Sequence, residues 1–191
     1  NAVEFFRPDY FAIGIEVNLL RELAPSLWPA YLELHRETWQ ALKQRYPSLP
    51  VFVTMTANEL LGANGADPDA QAEALADTRP FTDILGISWY PFLSAFGTEP
   101  LPDDIYARID ALTDKPIAIT ETGFPAQFQQ LDIEGGPMIE LQGTPEKQEQ
   151  FMARLLAAAR ARDFRFVIQF VLRDYDALCD AIDCSDFNRL W

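Results

Sequence analysis

Histidine occurs once in the 191 residues and cysteine twice. A metal site built from imidazole and thiolate donors is therefore not expected. Basic residues are scarce: 15 Lys and Arg stand against 29 Asp and Glu, a formal charge of -14. Such a surface repels phosphate backbones and anionic lipid, so neither a nucleic-acid partner nor a membrane surface is expected. No apolar run approaches the roughly 20 residues that span a bilayer. The first residues lack the basic start and apolar stretch of a signal peptide. Also missing is a Gly-rich phosphate turn after the first apolar run, where Gly14-Ile15-Glu16 stands instead. That argues against a doubly wound dinucleotide-binding sheet.

What is present is the composition of a folded protein, 49% hydrophobic, 13% aromatic and 23% charged. The opening Asn1-Ala2, with no Met, is set aside as a candidate tag remnant. Cys179 and Cys184 lie in an acidic, loop-like segment and are expected to be unpaired thiols; a bridge between them would point to secretion.

Five short apolar runs, rich in β-branched or aromatic residues, read as buried strands: Tyr10 to Glu16, Leu49 to Thr56, Ile84 to Tyr90, Pro116 to Glu121, and Phe166 to Leu172. Helical periods fall between them. Trp28, Leu32, His35, Trp39, Leu42 and Tyr46 form one apolar face, with His35 read as a packed histidine. Thr144 should cap a helix that carries Pro145 at its first position and buries Phe151, Leu155 and Ala158 or Ala159. Pro102-Asp103-Asp104 should open another, and Asp69 to Asp77 a short Ala-rich one. Strand and helix alternate, which implies a parallel α/β sheet covered by helices. With no internal boundary, 1–191 reads as a single domain of barrel type, short of the roughly 250 residues of a complete (β/α)8 TIM barrel. The stretch Thr122 to Gly143 is too long for a connector and is a candidate active-site loop.

Catalytic groups of parallel barrels sit at the C-terminal ends of strands, and two strands here end in a carboxylate, Glu16 and Glu121. A carboxylate pair at one barrel mouth suits glycosidic cleavage, one group protonating the leaving oxygen and the other attacking the anomeric carbon. A solvated or helix-capping glutamate is the plainer reading of each taken alone. Trp89 should face the helices as core, and Tyr90, alternating with it, the mouth. Asn58 and Glu59, with Thr56, stand at the rim as candidate subsite residues. Asp174, Tyr175 and Asp176 follow the last strand and could hydrogen-bond sugar hydroxyls, or form a solvated acidic loop. Phe92, Phe96, Phe124 and Phe128 could stack on sugars or pack into the core.

At Asp83-Ile84-Leu85-Gly86-Ile87-Ser88-Trp89-Tyr90-Pro91-Phe92 and Glu121-Thr122-Gly123-Phe124-Pro125 the chain resembles clan A glycoside hydrolases, nearest in motif to the endo-β-1,4-galactanase family. The second motif is also similar to that of the β-1,3-glucanases. The resemblance implies a partial barrel covering strands four to eight, with Glu16 as acid/base and Glu121 as nucleophile. It also implies that Tyr90 donates a hydrogen bond to Glu121, and that a β-linked carbohydrate is the substrate with no cofactor. Secretion or a periplasmic address would follow for the parent protein. Three features depart from the clan. Ile15 stands where an Asn precedes the acid/base Glu, with Asn18 the nearest amide and a candidate substitute. Val167-Ile168-Gln169-Phe170 lacks the sugar-stacking Trp of strand eight. Strands one to three, with their supporting Arg and His or Asn, have no counterpart. A non-catalytic carbohydrate-binding or inactive relative is therefore the alternative, and self-association through open barrel edges is expected.

Overall fold

A computed structural model describes residues 2–97, 100–131 and 139–170. The main sheet has five parallel strands in the order β1 (Phe11–Gly14), β2 (Val51–Thr56), β3 (Leu85–Trp89), β4 (Ile117–Thr122) and β7 (Val167–Gln169). All five expected strands are there; β1, β2 and β3 are shorter than the sequence suggests, and β4 is as long but set one residue further along. Between them run α2 (Val17–Leu23), α3 (Trp28–Arg45), α4 (Ala57–Leu60), α5 (Pro68–Thr78), α6 (Ile105–Asp110) and α7 (Pro145–Ala161); α1 (Ala2–Phe6) precedes β1.

The helices form because their ends are capped and one stripe is apolar. Thr144 accepts from Lys147 N at 3.2 Å, and Asp67 accepts from Asp69 N at 3.0 Å ahead of Pro68. Val53, Met55, Ile87, Trp89 and Ile119 point from the strands into the helix layer, where Ile105, Ile109, Phe151 and Leu155 meet them. Trp89 is fully buried, its ring 5.3 Å from Tyr106 and 5.5 Å from Phe151. His35 is buried against Tyr31, ring centroids 5.7 Å apart, and burial holds its imidazole below the ordinary value.

The opposite face is concave. Phe52, Ile84 and Ala118 form its floor with Phe166, and Gly86 makes room: a Cβ there would lie 2.9 Å from the Phe52 ring and 3.0 Å from Thr120. Tyr10 and Phe166, at the starts of the two outer strands, touch across the open side with ring centroids 4.9 Å apart. The sheet is therefore curled as a barrel wall rather than spread as an open sheet.

Two expectations are corrected. The stretch after β4 is not an irregular loop: β5 (Phe128–Leu131) and β6 (Ile139–Gln142) pair antiparallel, and Leu141 is buried in a cluster with Tyr90 and Phe92. The alternation around Leu141 made it a hairpin, and cross-strand Gln130 donates to Glu140 at 3.1 Å. The helix expected from Pro102 begins only at Ile105, because the first helical bond that closes a full turn is Arg108 N to Asp104 O, 2.9 Å. Cys179 and Cys184 lie outside the described residues, as do Asp174, Tyr175 and Asp176.

Candidate active site

The two candidate carboxylates reach the C-terminal end of the sheet through backbone irregularities. In β1, Ala12 pairs with Phe52 and Gly14 with Val53, so Ile13 is one residue too many. In β4, Ile119 faces Ile87 and Glu121 faces Ser88; on the other side Ile119 faces Val167 and Thr122 faces Gln169. Both neighbours thus count one extra residue at Thr120–Glu121, a bulge. Strict alternation along Ile117–Thr122 would turn Glu121 to the helices with Ile117 and Ile119. With the bulge, Thr120 and Glu121 both line the concave cleft. Thr122 locks the distortion: it is fully buried, its hydroxyl donates to Trp89 O at 2.6 Å, and its carbonyl accepts from Phe170 N at 2.7 Å.

Glu16 does not end a strand, as its sequence position suggested. It is the cap residue immediately before α2, in the left-handed region at φ 50°, ψ 43°, and its N–H donates to Thr54 Oγ1 at 2.9 Å. That conformation is costly for a residue with a Cβ, by about 1–3 kcal/mol, and persists where its surroundings fix it. Gly14 permits the turn, since a Cβ there would lie 2.7 Å from Val17 and 2.8 Å from the Tyr31 hydroxyl.

Burial, and after it the charge of Glu121, raises the Glu16 carboxyl above the usual carboxylate range; Ser88 opposes this through its hydroxyl, and Glu59 adds to it. Tyr90 is 8% exposed, and its phenol stands beside the Glu121 carboxylate. Burial first, then the neighbouring Glu121 and the charge of Glu16, push its ionisation well above the usual tyrosine value, so at neutral pH it carries its proton. The cleft in front of these groups has a volume of about 630 Å³, with Thr54, Ser88, Thr120 and Glu121 toward the strand ends and Phe52 and Phe166 as its floor. Ile15, 75% exposed, lies on its wall in the position where the resembling enzymes carry an Asn.

Glu16, Glu121, Tyr90 and Ser88 are thus gathered at one mouth. Asn18 is not among them. It is completely buried behind the sheet, donating to Thr56 O at 3.2 Å, Thr56 Oγ1 at 3.1 Å and Gln71 Oε1 at 2.8 Å, and accepting from Thr56 N at 2.9 Å. An amide with these partners ties α2 and α5 to the end of β2, and sugar contact is not open to it. Asn58 is 7% exposed and donates to Tyr90 O at 2.9 Å, bracing the end of β3. Ser88 is the residue that sequence reasoning missed; its signal was position, one step before Trp89-Tyr90 on the inward face. Among the described residues no cluster of His, Cys, Asp and Glu could hold a metal ion.

No family model matches this chain, and no curated protein sequence does. Solved structures do. The GH53 catalytic domain of Ignisphaera aggregans superposes with a TM-score of 0.57 at 19% identity, over 88% of this chain and 50% of that one. A structure from a study of two fungal β-1,4-galactanases gives 0.57 at 17% identity, over 84% and 51%. The shared fold is the parallel, helix-covered sheet of a (β/α)8 barrel, over part of its strands. The chain spans about half the length of these structures. At such identities the likeness is one of fold, the curled parallel sheet and its helices.

Proposed function

We propose that the chain carries the carboxylate pair of a retaining glycoside hydrolase acting on a β-linked polysaccharide or oligosaccharide. The observation that supports this reading best is the asymmetry of the pair. Glu16 is half-buried, under the charge of a second carboxylate, and shifted toward its protonated form, while Glu121 has the protonated phenol of Tyr90 beside it. The roles of acid and nucleophile are divided in that way in retaining enzymes.

In the first step a Glu121 carboxylate oxygen bonds to the anomeric carbon as the glycosidic C–O bond breaks, and the departing oxygen takes the Glu16 proton. In the second step water attacks the same carbon, ionised Glu16 takes its proton, and the bond to Glu121 breaks. Two inversions give net retention. Tyr90 holds the attacking carboxylate in line, and no cofactor takes part in either step. Substrate reaches the pair along the concave cleft, where Phe52, Phe166 and Ile168 offer apolar surface to a sugar face.

The test is a 2-fluoroglycoside series, β-galactosides included, followed by peptide mass spectrometry. Label on Glu121, with Glu121→Gln reducing turnover roughly 10³-fold or more, is the expected result. Label elsewhere would remove the assignment. Ile15 in place of an amide supports a second reading, a barrel relative that binds carbohydrate without turnover. Under it, oligosaccharide binds the cleft while no label and no cleavage are found.

A further inference from the structure

The connection from β4 to α7 carries a hairpin whose two faces differ in chemistry. On β6, Leu141 is 1% exposed and packs in the cluster of Tyr90 and Phe92, so the hairpin is seated on the rim that holds the candidate carboxylates. Glu140 and Gln142 flank it and by strand alternation turn to the other face, where both are exposed. The register sets Phe128 opposite Gln142 and Gln130 opposite Glu140, which puts all four on that outer face. Phe128 is 50% exposed there, whereas Phe92 is buried and Phe124 packs against Phe92 and Phe151 with ring centroids 6.0 and 5.4 Å apart. The Glu140 carboxylate is held by two amides, Gln130 Nε2 donating to Oε1 at 3.1 Å and Gln142 Nε2 to Oε2 at 3.4 Å. The base of the hairpin is fixed as well. Gly143 lets it close, since a Cβ there would run into the carbonyls of Gln127 and Pro125; Lys147 Nζ donates to Gln142 O at 2.6 Å and Gln148 Nε2 to Phe124 O at 2.7 Å.

We propose that this outer face is a distal sugar subsite, which takes a neutral pyranose unit of the same β-linked chain that enters the cleft. The inference rests on reading the cleft as a carbohydrate site, whether or not the carboxylates turn the substrate over. A pyranose has C–H groups across its face and hydroxyls around its edge. Phe128 offers a flat apolar surface to the first, and the amides of Gln130 and Gln142 with the carboxylate of Glu140 offer donors and acceptors to the second. Glu140, in a chain of net charge -14, turns away an acidic sugar, which is why the unit is neutral. Phe128 follows Glu121 by seven residues, so it stands no more than about 25 Å from it, within reach of one oligosaccharide. A platform fixed at its base holds this geometry before the sugar arrives.

The experiment is NMR of the full chain labelled with ¹³C in its phenylalanine rings, titrated with the hexaoses and matching disaccharides of β-1,4-galactan, β-1,3-glucan, β-1,4-glucan, β-1,4-mannan and β-1,4-xylan. One spectrum reports on both places, because Phe52 and Phe166 floor the cleft and Phe128 lies on the hairpin. For at least one of these glycans the hexaose should shift all three rings, and the disaccharide only the two in the cleft. Phe128→Ala should weaken hexaose binding about three- to tenfold and leave the disaccharide unchanged, while Phe128→Tyr, which keeps the ring, should bind as the native chain does. Should Phe128→Ala fail to fold, the ring shifts of the native chain still decide. A hexaose that shifts Phe52 and Phe166 but not Phe128, or that binds Phe128→Ala as tightly as the native chain, overturns the proposal and leaves the cleft standing. No shift with any of these sugars overturns the proposal and removes the carbohydrate reading with it.

Discussion

Glu16 carries two loads that folding would not choose for it, a left-handed backbone and a carboxyl that resists ionisation. Its proton is held more tightly in the folded chain than in the unfolded one, so stability from this group is present below the unfolded value of about 4.5 and is lost as pH rises through the higher folded value. Glu16→Gln removes the charge while keeping shape. The variant is expected to melt higher than the native chain at pH 7 and to match it near pH 4, by no more than about 1 kcal/mol because the site is half open to water. Scanning calorimetry at the two pH values checks this; an equal or lower melting temperature at pH 7 would refute it.

At the level of strands and helices, the same sequence was unevenly legible. Apolar runs and caps read well, because burial of Ile, Val and Phe and the satisfaction of a helix end by Thr144 are decided by a few neighbouring residues. The mouth read in part: Glu16, Glu121 and Tyr90 could be picked out by position near strand ends. What stayed hidden is whatever depends on partners far along the chain. The amide of Asn18 is spoken for by Thr56 and Gln71, 38 and 53 residues away. The bulge in β4 is set by two flanking strands, and nothing in Ile-Ala-Ile-Thr-Glu-Thr announces it. Thr122 is the residue that holds that bulge, so Thr122→Val, which leaves Trp89 O without its donor, should cost about 1–2 kcal/mol in urea unfolding. A midpoint unchanged from the native chain would mean that the bulge holds without this bond.

For the whole molecule, the decisive feature is that a barrel wall faces water on its inner side. Ile15, Ile168 and Tyr10 are 75%, 50% and 38% exposed on or beside the concave face, and β1 and β7 are the outer strands of the sheet. Each Å² of such apolar surface withdrawn from water is worth roughly 25 cal/mol, which favours any cover. The net charge of -14 opposes a second copy as that cover. The two effects differ in their response to salt, since screening weakens repulsion and leaves burial intact. The isolated 191-residue chain at roughly tens of micromolar is therefore expected to sediment above its 21.6 kDa monomer mass, more strongly so at 0.5 M than at 0.05 M salt. Ile168→Lys, placing a charge on the apolar inner face, should return it to the monomer. A native chain that stays monomeric across that salt range would show that the concave face tolerates water. Open cleft and candidate site are then the same surface in the isolated chain.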